Sequence, residues 1–460
     1  MKLLNQDGDN NKLFLNLQGN VLKGHGRDHT QNIFVTFKDI AEAKRWISEF
    51  AYGITSFKKQ LDERTAFKEE RKVGDVFYSF FISAKGYDYL GFTPDKFGDE
   101  AFKQGMKKRK DILFDQPSNW DKGFNNTCHA MILVADDDKI RLGKATISLI
   151  KRCNAVFTVD TIEYGNILRD AAGNGIEHFG YVDGVSQPIF MEDEVTDYLK
   201  HNVDFGNFDP RAEKELVLVE DPWVTSEKAF GSYFVFRKLE QNVQKFKSDE
   251  EELATSLLEL TGEDEERAGA MLVGRFEDGT PVTISPAAEM INGASFNNFN
   301  YDQDIAGAKC PFHSHIRRSN PRTPDALKQR MARRGIPYGN RDVEPMLDPA
   351  NSQMPDANVG LLFMSFQHSI VNQFEAIQIH INSLDGDGNG NDPVIGQTEN
   401  SRENNTSGMF AKIYGDASPD SMTKCGFETS VKMRGGEYFF APSIQFLKEI
   451  QTISFKPQEL

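Results

Sequence analysis

Asn32-Ile-Phe-Val-Thr-Phe37 is a short run of mainly β-branched and aromatic residues, and it predicts a buried strand. A helical pattern follows from Ile40 to about Tyr52. Val76-Phe-Tyr-Ser-Phe-Phe-Ile-Ser83 reads as a second strand, with a short helix near Tyr87–Leu90. His129-Ala-Met-Ile-Leu-Val-Ala135 is a third, leading into a helix over Lys139–Arg152, and Ala155–Glu163 is a fourth. Strand–helix–strand–strand–helix–strand is the split βαβ order of a ferredoxin-like unit. The grammar restarts at Gly231-Ser-Tyr-Phe-Val-Phe-Arg237. A helix is expected over Asp249–Thr261, capped by Ser248. Val359–Phe366 follows as a strand, Ile370–Ile381 as a helix, and Glu437–Pro442 as a closing strand ended by proline. The expectation is an α+β protein of two ferredoxin-like units, residues 1–205 and 206–460. It rests on element order, since the two halves share no visible sequence repeat.

The 460 residues suffice for two full cores, and 39% hydrophobic with 27% charged residues is ordinary for a globular chain. A net charge of -16 argues against nucleic acid, which needs a basic face. No apolar run approaches the length of a membrane span. The start, Met1-Lys-Leu-Leu-Asn-Gln-Asp, turns polar at once and lacks a signal-peptide core, so a cytoplasmic location is the expectation. Cys128, Cys153, Cys310 and Cys425 have no paired spacing. The 36 phenylalanines fit either an aromatic core or a pocket for a flat apolar ligand. Asp385-Gly-Asp-Gly-Asn-Gly-Asn-Asp392 superficially resembles a calcium loop, lacks its terminal Glu, and reads as a solvated turn.

Against that acidic background, Cys310-Pro-Phe-His-Ser-His-Ile-Arg-Arg-Ser-Asn-Pro-Arg322 concentrates two histidines with Arg317, Arg318 and Arg322. Positive charge beside a candidate metal ligand points to a metal-containing anion, and haem, with its two propionates, fits. Either His313 or His315 could be the ligand. They would share a face on a strand and diverge on a helix. Gly180-Tyr-Val-Asp-Gly184 sets Asp183 between glycines, a tight path suited to a carboxylate beside a ligand or to a plain Asp-Gly turn. In Met331-Ala-Arg-Arg-Gly335 either arginine could stabilise developing negative charge, or cap a helix end.

Gly180-x-x-Asp183-Gly184 with Ser-Gln-Pro188, the Cys310–Arg322 run and Arg333-Arg-Gly-Ile-Pro-Tyr338 together resemble the dye-decolorizing peroxidase family. Leu17–Arg27, Gly231–Gln241, Val273–Phe276 and Gly435–Ser443 extend the likeness over nearly the whole chain. The resemblance implies a dimeric α+β barrel-type architecture, haem b as cofactor, and reduction of hydrogen peroxide with one-electron oxidation of aromatic, dye-like donors. It implies His315 as the iron ligand, Asp183 as the acid–base carboxylate and Arg333 as the arginine near it. It also implies Arg322 on a propionate, Glu375 as acceptor from the ligand imidazole, and Leu361 with Phe363 as an apolar wall. Bulky donors would be oxidised at a surface ring, for which Trp46, Trp120, Trp223 and Tyr338 are available.

Two other classes stay open. A haem-binding or haem-transfer protein would keep His315 and the arginines but would not need Asp183 and Arg333 together. A non-haem metal protein could use His313, His315 and Glu375.

Overall fold

The computed structural model describes the chain apart from residues 1, 7, 9, 202–204, 227, 258–261, 290–296, 342–350, 384–389, 398–405 and 454–460. In the first half, β1 (His29–Phe37), β2 (Phe77–Ser83), β3 (Ala130–Asp136) and β4 (Phe157–Asn166) pair antiparallel in the order β2-β3-β1-β4. Helix α1 (Ile40–Phe50) crosses from β1, and α2 (Lys139–Cys153) connects β3 to β4. Each begins at an aspartate whose carboxylate accepts from the first-turn backbone, Asp39 from Glu42 N and Asp138 from Ile140 N.

The second half repeats this order with β5 (Phe230–Gln241), β6 (Ile336–Tyr338), β7 (Gly360–Gln367) and β8 (Val431–Ala441), arranged β6-β7-β5-β8. Strand β8 joins β2 through Phe439↔Ser83 and Phe440↔Ile82. At the other end β4 abuts β6 so closely that a Cβ on Gly165 would lie 2.4 Å from Ile336 Cγ2. The sheet therefore wraps onto itself, and rings from both halves fill its interior. Phe34 packs on Phe236 at 4.8 Å, and Phe81 stacks on Phe234 at 4.3 Å. Most of the phenylalanine excess belongs to this core.

Three local expectations shift. Helix α3 runs Val243–Ser256, starting earlier than expected, because Asn242 accepts from Lys245 N and Val243, Phe246 and Leu253 form its buried stripe. The expected helix from Ile370 opens as a π-helical turn, Ile370–Glu375, before the regular Ala376–Asn382. Strand β6 has no counterpart among the expected strands, since it spans three residues and carries Pro337. No helix among the described residues is long and apolar enough to cross a membrane.

Candidate functional site

A largely apolar cavity opens beside β5 and β7 and brings together most of the expected site. His315, Asp183, Arg333, Leu361 and Phe363 all line it. Alternation along β7 turns Leu361 and Phe363 to the cavity while Leu362 and Met364 are fully buried. Phe374, Ile377, Ile381, Val394 and Ile395 add apolar surface around His315.

His315 is the first residue of a short helix, His315–Ser319, that follows a turn. Because the chain turns helical there, the two histidines diverge. The His315 Nδ1 donates to Asp392 Oδ2 at 2.6 Å, which leaves Nε2 as the lone-pair nitrogen. Asp392 is completely buried, and its Oδ1 accepts from Val394 N at 2.8 Å and Ile395 N at 3.1 Å. Burial works to lower the His315 pKa, but the Asp392 charge and hydrogen bond outweigh it and raise the value.

Asp392 thus replaces Glu375 as the imidazole's partner. The Glu375 carboxylate is taken up elsewhere, by Arg109 Nε at 2.9 Å and Nη2 at 2.6 Å and by the Tyr438 hydroxyl at 3.0 Å. The solvated-turn reading fails over the described end of the tract, where Gly390, Asn391 and Asp392 are buried; its residues 385–389 lie outside the described residues. An acidic residue in a Gly/Asn tract carries no mark of burial, so the sequence alone could not single it out.

Asp183 sits on a loop that needs positive φ at Gly180 (106°) and Gly184 (80°). Its Oδ1 accepts from Gly184 N at 2.6 Å, and Arg333 Nη1 lies 3.7 Å from the same oxygen. Both side chains keep about a third of their surface, 37% and 35%. They are near enough to act on one small molecule without being consumed by each other. Arg333 is fixed through its backbone: it pairs with Ser365 of β7, and its N–H donates to Gln187 Oε1 at 3.0 Å.

The expected propionate arginine, Arg322, is not among the residues lining the cavity. Its Nη1 donates to the carbonyls of Asn297 and Phe299 at 2.7 and 2.9 Å, and its guanidinium lies over the Phe299 ring. Arg275 faces the cavity there instead, with Nη2 3.4 Å from both Ser186 Oγ and Asn297 Oδ1. Burial, with Arg322 and Arg333 nearby, lowers Arg275 to about 9. Arg237 and Arg330 also line the cavity. Arg317 and Arg318 are spent on structure: Arg317 binds Asp304 at 2.9 Å, and Arg318 binds the carbonyls of His380, Ser383 and Gly390. Sequence reasoning missed Arg275, although the Val273–Phe276 block contains it.

His313 is buried against Phe410, with ring centroids 4.6 Å apart, and neither of its nitrogens has a hydrogen-bond partner among the described residues. Burial lowers it to about 3, so it is neutral. It does not line the cavity, and a Cβ on Gly408 would meet its ring at 2.3 Å. Of the candidate relay rings, Trp120 and Tyr338 are buried, Trp46 stacks on Phe50 and Trp223 lies under Lys96. None lines the cavity.

The sequence matches the model of the DyP dimeric alpha+beta barrel domain over residues 16–165 and that of the Dyp-type peroxidase C-terminal domain over residues 206–410. It is 40% identical to the multifunctional dye peroxidase DyP2 of Amycolatopsis sp. over 94% of this chain and 95% of that protein. It is 27% identical to the dye-decolorizing peroxidase msp1 of Mycetinis scorodonius, over 95% of this chain and 87% of that one. The crystal structure of an Anabaena sp. DyP-type peroxidase superposes with a TM-score of 0.88 at 39% identity, covering 97% of this chain and 96% of that one. The chain belongs to the dye-decolorizing peroxidase family and is a DyP-type peroxidase.

Proposed function

We propose that the cavity holds haem b, whose iron His315 would bind, and that the enzyme reduces hydrogen peroxide at the expense of aromatic donors. The observation that carries this reading is the His315–Asp392 pair. A buried carboxylate fixes the proton on Nδ1, so Nε2 can serve as a neutral donor facing a largely apolar cavity. The residues fit the group: apolar walls suit a flat macrocycle, and Arg275 and Arg330 suit its anionic edge. When bound, haem supplies the redox centre that accepts electrons from donors and passes them to peroxide.

The chain's own groups then divide the work. Asp183 accepts a proton from peroxide and returns it to the departing oxygen. Arg333 holds a fixed positive charge where negative charge develops. Leu361 and Phe363 keep water away from the reacting oxygens. Asp392 stabilises positive charge on the imidazole and holds the ring's orientation. Arg322 supports this region from behind, by holding the carbonyls of Asn297 and Phe299 beside Arg275.

The non-haem alternative finds no support, because His313 packs on Phe410 away from the cavity and Glu375 is held by Arg109 and Tyr438. Among the described residues no group of three His, Cys, Asp or Glu side chains is placed to hold a metal ion. The joint placement of Asp183 and Arg333 favours an enzyme over a haem carrier. Loading the protein with haem decides the reading. A Soret band that shifts with stoichiometric peroxide, and changes in His315→Ala, is expected; a Soret band indifferent to peroxide would leave the carrier.

A further inference from the structure

Two cavities meet at Glu177. One is the cavity of His315 and Asp183. The other is lined by Asn20, His25 and Arg27 of the N-terminal segment and by Arg334, and it shares Asp183 and Arg333 with the first. Glu177 lines both.

Its carboxylate also folds the loop that carries Asp183. Oε2 accepts from Phe179 N at 2.9 Å and Oε1 from Tyr181 N at 3.1 Å, while Gln241 of β5 donates its amide to Oε2. The backbone adds Glu177 N to Tyr181 O at 3.1 Å and Gly180 N to Glu177 O at 3.0 Å. Immediately beyond, Asp183 N donates to Gly175 O at 3.1 Å. One residue therefore ties both ends of the turn that Asp183 follows.

We propose that Glu177 is a positioning residue for the Asp183 side of the site, holding the Asp183 loop and placing its own charge where the two cavities meet. The inference rests on Asp183 being the acid–base group. Burial, together with the Asp183 charge, raises Glu177 to about 7, against the pull of its three hydrogen bonds. Gln241 of β5 bonds to it, and the charged and titratable groups that line the second cavity with it are Asp183 on the same loop, His25 and Arg27 from the N-terminal segment, and Arg333 and Arg334 beside β6. His178 follows it in the chain, and Arg341 donates to the His178 carbonyl. While neutral, Glu177 adds no charge to this side of the site. Once ionised, it opposes the negative charge that develops on peroxide oxygen.

The test is the pH dependence of kcat/KM for peroxide in haem-loaded wild type, Glu177→Gln and Asp183→Asn, with hydrogen exchange of the 177–184 amides in wild type and Glu177→Ala. Wild type is expected to lose activity as pH rises through about 7. Glu177→Gln keeps a neutral group there, so its decline is smaller by about three- to tenfold one to two pH units higher. Glu177→Ala exchanges the loop amides faster. If Glu177→Ala does not fold, the Gln profile decides alone. A Gln profile that superimposes on wild type overturns the inference. Full turnover in Asp183→Asn would instead overturn the reading on which it rests, so the two failures are distinguishable.

Discussion

Asp392 Oδ2 lies 2.6 Å from His315 Nδ1, while the other oxygen of the same carboxylate is held by two backbone N–H groups. The carboxylate is anchored independently of the histidine it serves. Asp392→Asn keeps the shape but removes the charge, and a cost of about 10- to 100-fold in haem affinity or turnover is expected. Haem titration followed at the Soret band measures it.

Glu375→Gln should behave differently. It weakens the buried contact with Arg109 and Tyr438, costing on the order of 2 kcal/mol in stability. The haem spectrum should stay as in wild type. A spectral change equal to that of Asp392→Asn would return Glu375 to the imidazole.

On the proposed roles, removing the Asp183 carboxylate should be more severe than altering the geometry of Arg333. Asp183→Asn is expected to lower kcat/KM for peroxide by about 10²- to 10⁴-fold. Arg333→Lys retains a cation but shortens its fork, and a loss of about tenfold is expected. Single-turnover mixing with peroxide separates these effects from those on the organic donor.

His178 gives a pH dependence of stability. Burial, with Arg341 nearby, lowers it to about 4, from 6.5 in the unfolded chain. Between those values the unfolded state binds more protons, so stability rises with pH across the window and falls on acidification. The loss between pH 6.5 and 4 amounts to at most about 3 kcal/mol. Denaturant melts of His178→Gln at the two ends of the window should show a smaller difference than wild type.

The place of His313 is explained by packing. With both ring nitrogens buried and unmatched among the described residues, His313→Leu should be neutral or stabilising by about 1 kcal/mol, with an unchanged haem spectrum. Gly408→Ala should cost about 1–3 kcal/mol in wild type and less beside His313→Ala. A cycle of the four proteins by thermal melting measures that coupling.

Strand periodicity carried most of the fold, because β1 to β4 are apolar runs whose order admits few pairings. It failed at Ile336–Tyr338, where three residues with a central proline leave no period to read. The site was legible where a side chain sits in a distinctive local string, as Asp183, His315 and Arg333 do. It was illegible where the role depends on distant packing. Glu375 and Asp392 are both buried acids after the same histidine, and only the folded chain shows that Arg109 and Tyr438 have taken the first. Likewise Arg322 and Arg275 are interchangeable in sequence, and their order from the cavity wall is set by the Asn297–Phe299 segment.

Strand β7 keeps its two faces on separate duties, with Leu362 and Met364 locked in the barrel and Leu361 and Phe363 half-open on the cavity. Residues 361 and 363 can therefore drift in size and polarity without disturbing the barrel. The shape of the cavity is free to evolve there, while the neighbouring pairing with Ser365 keeps Arg333 in place.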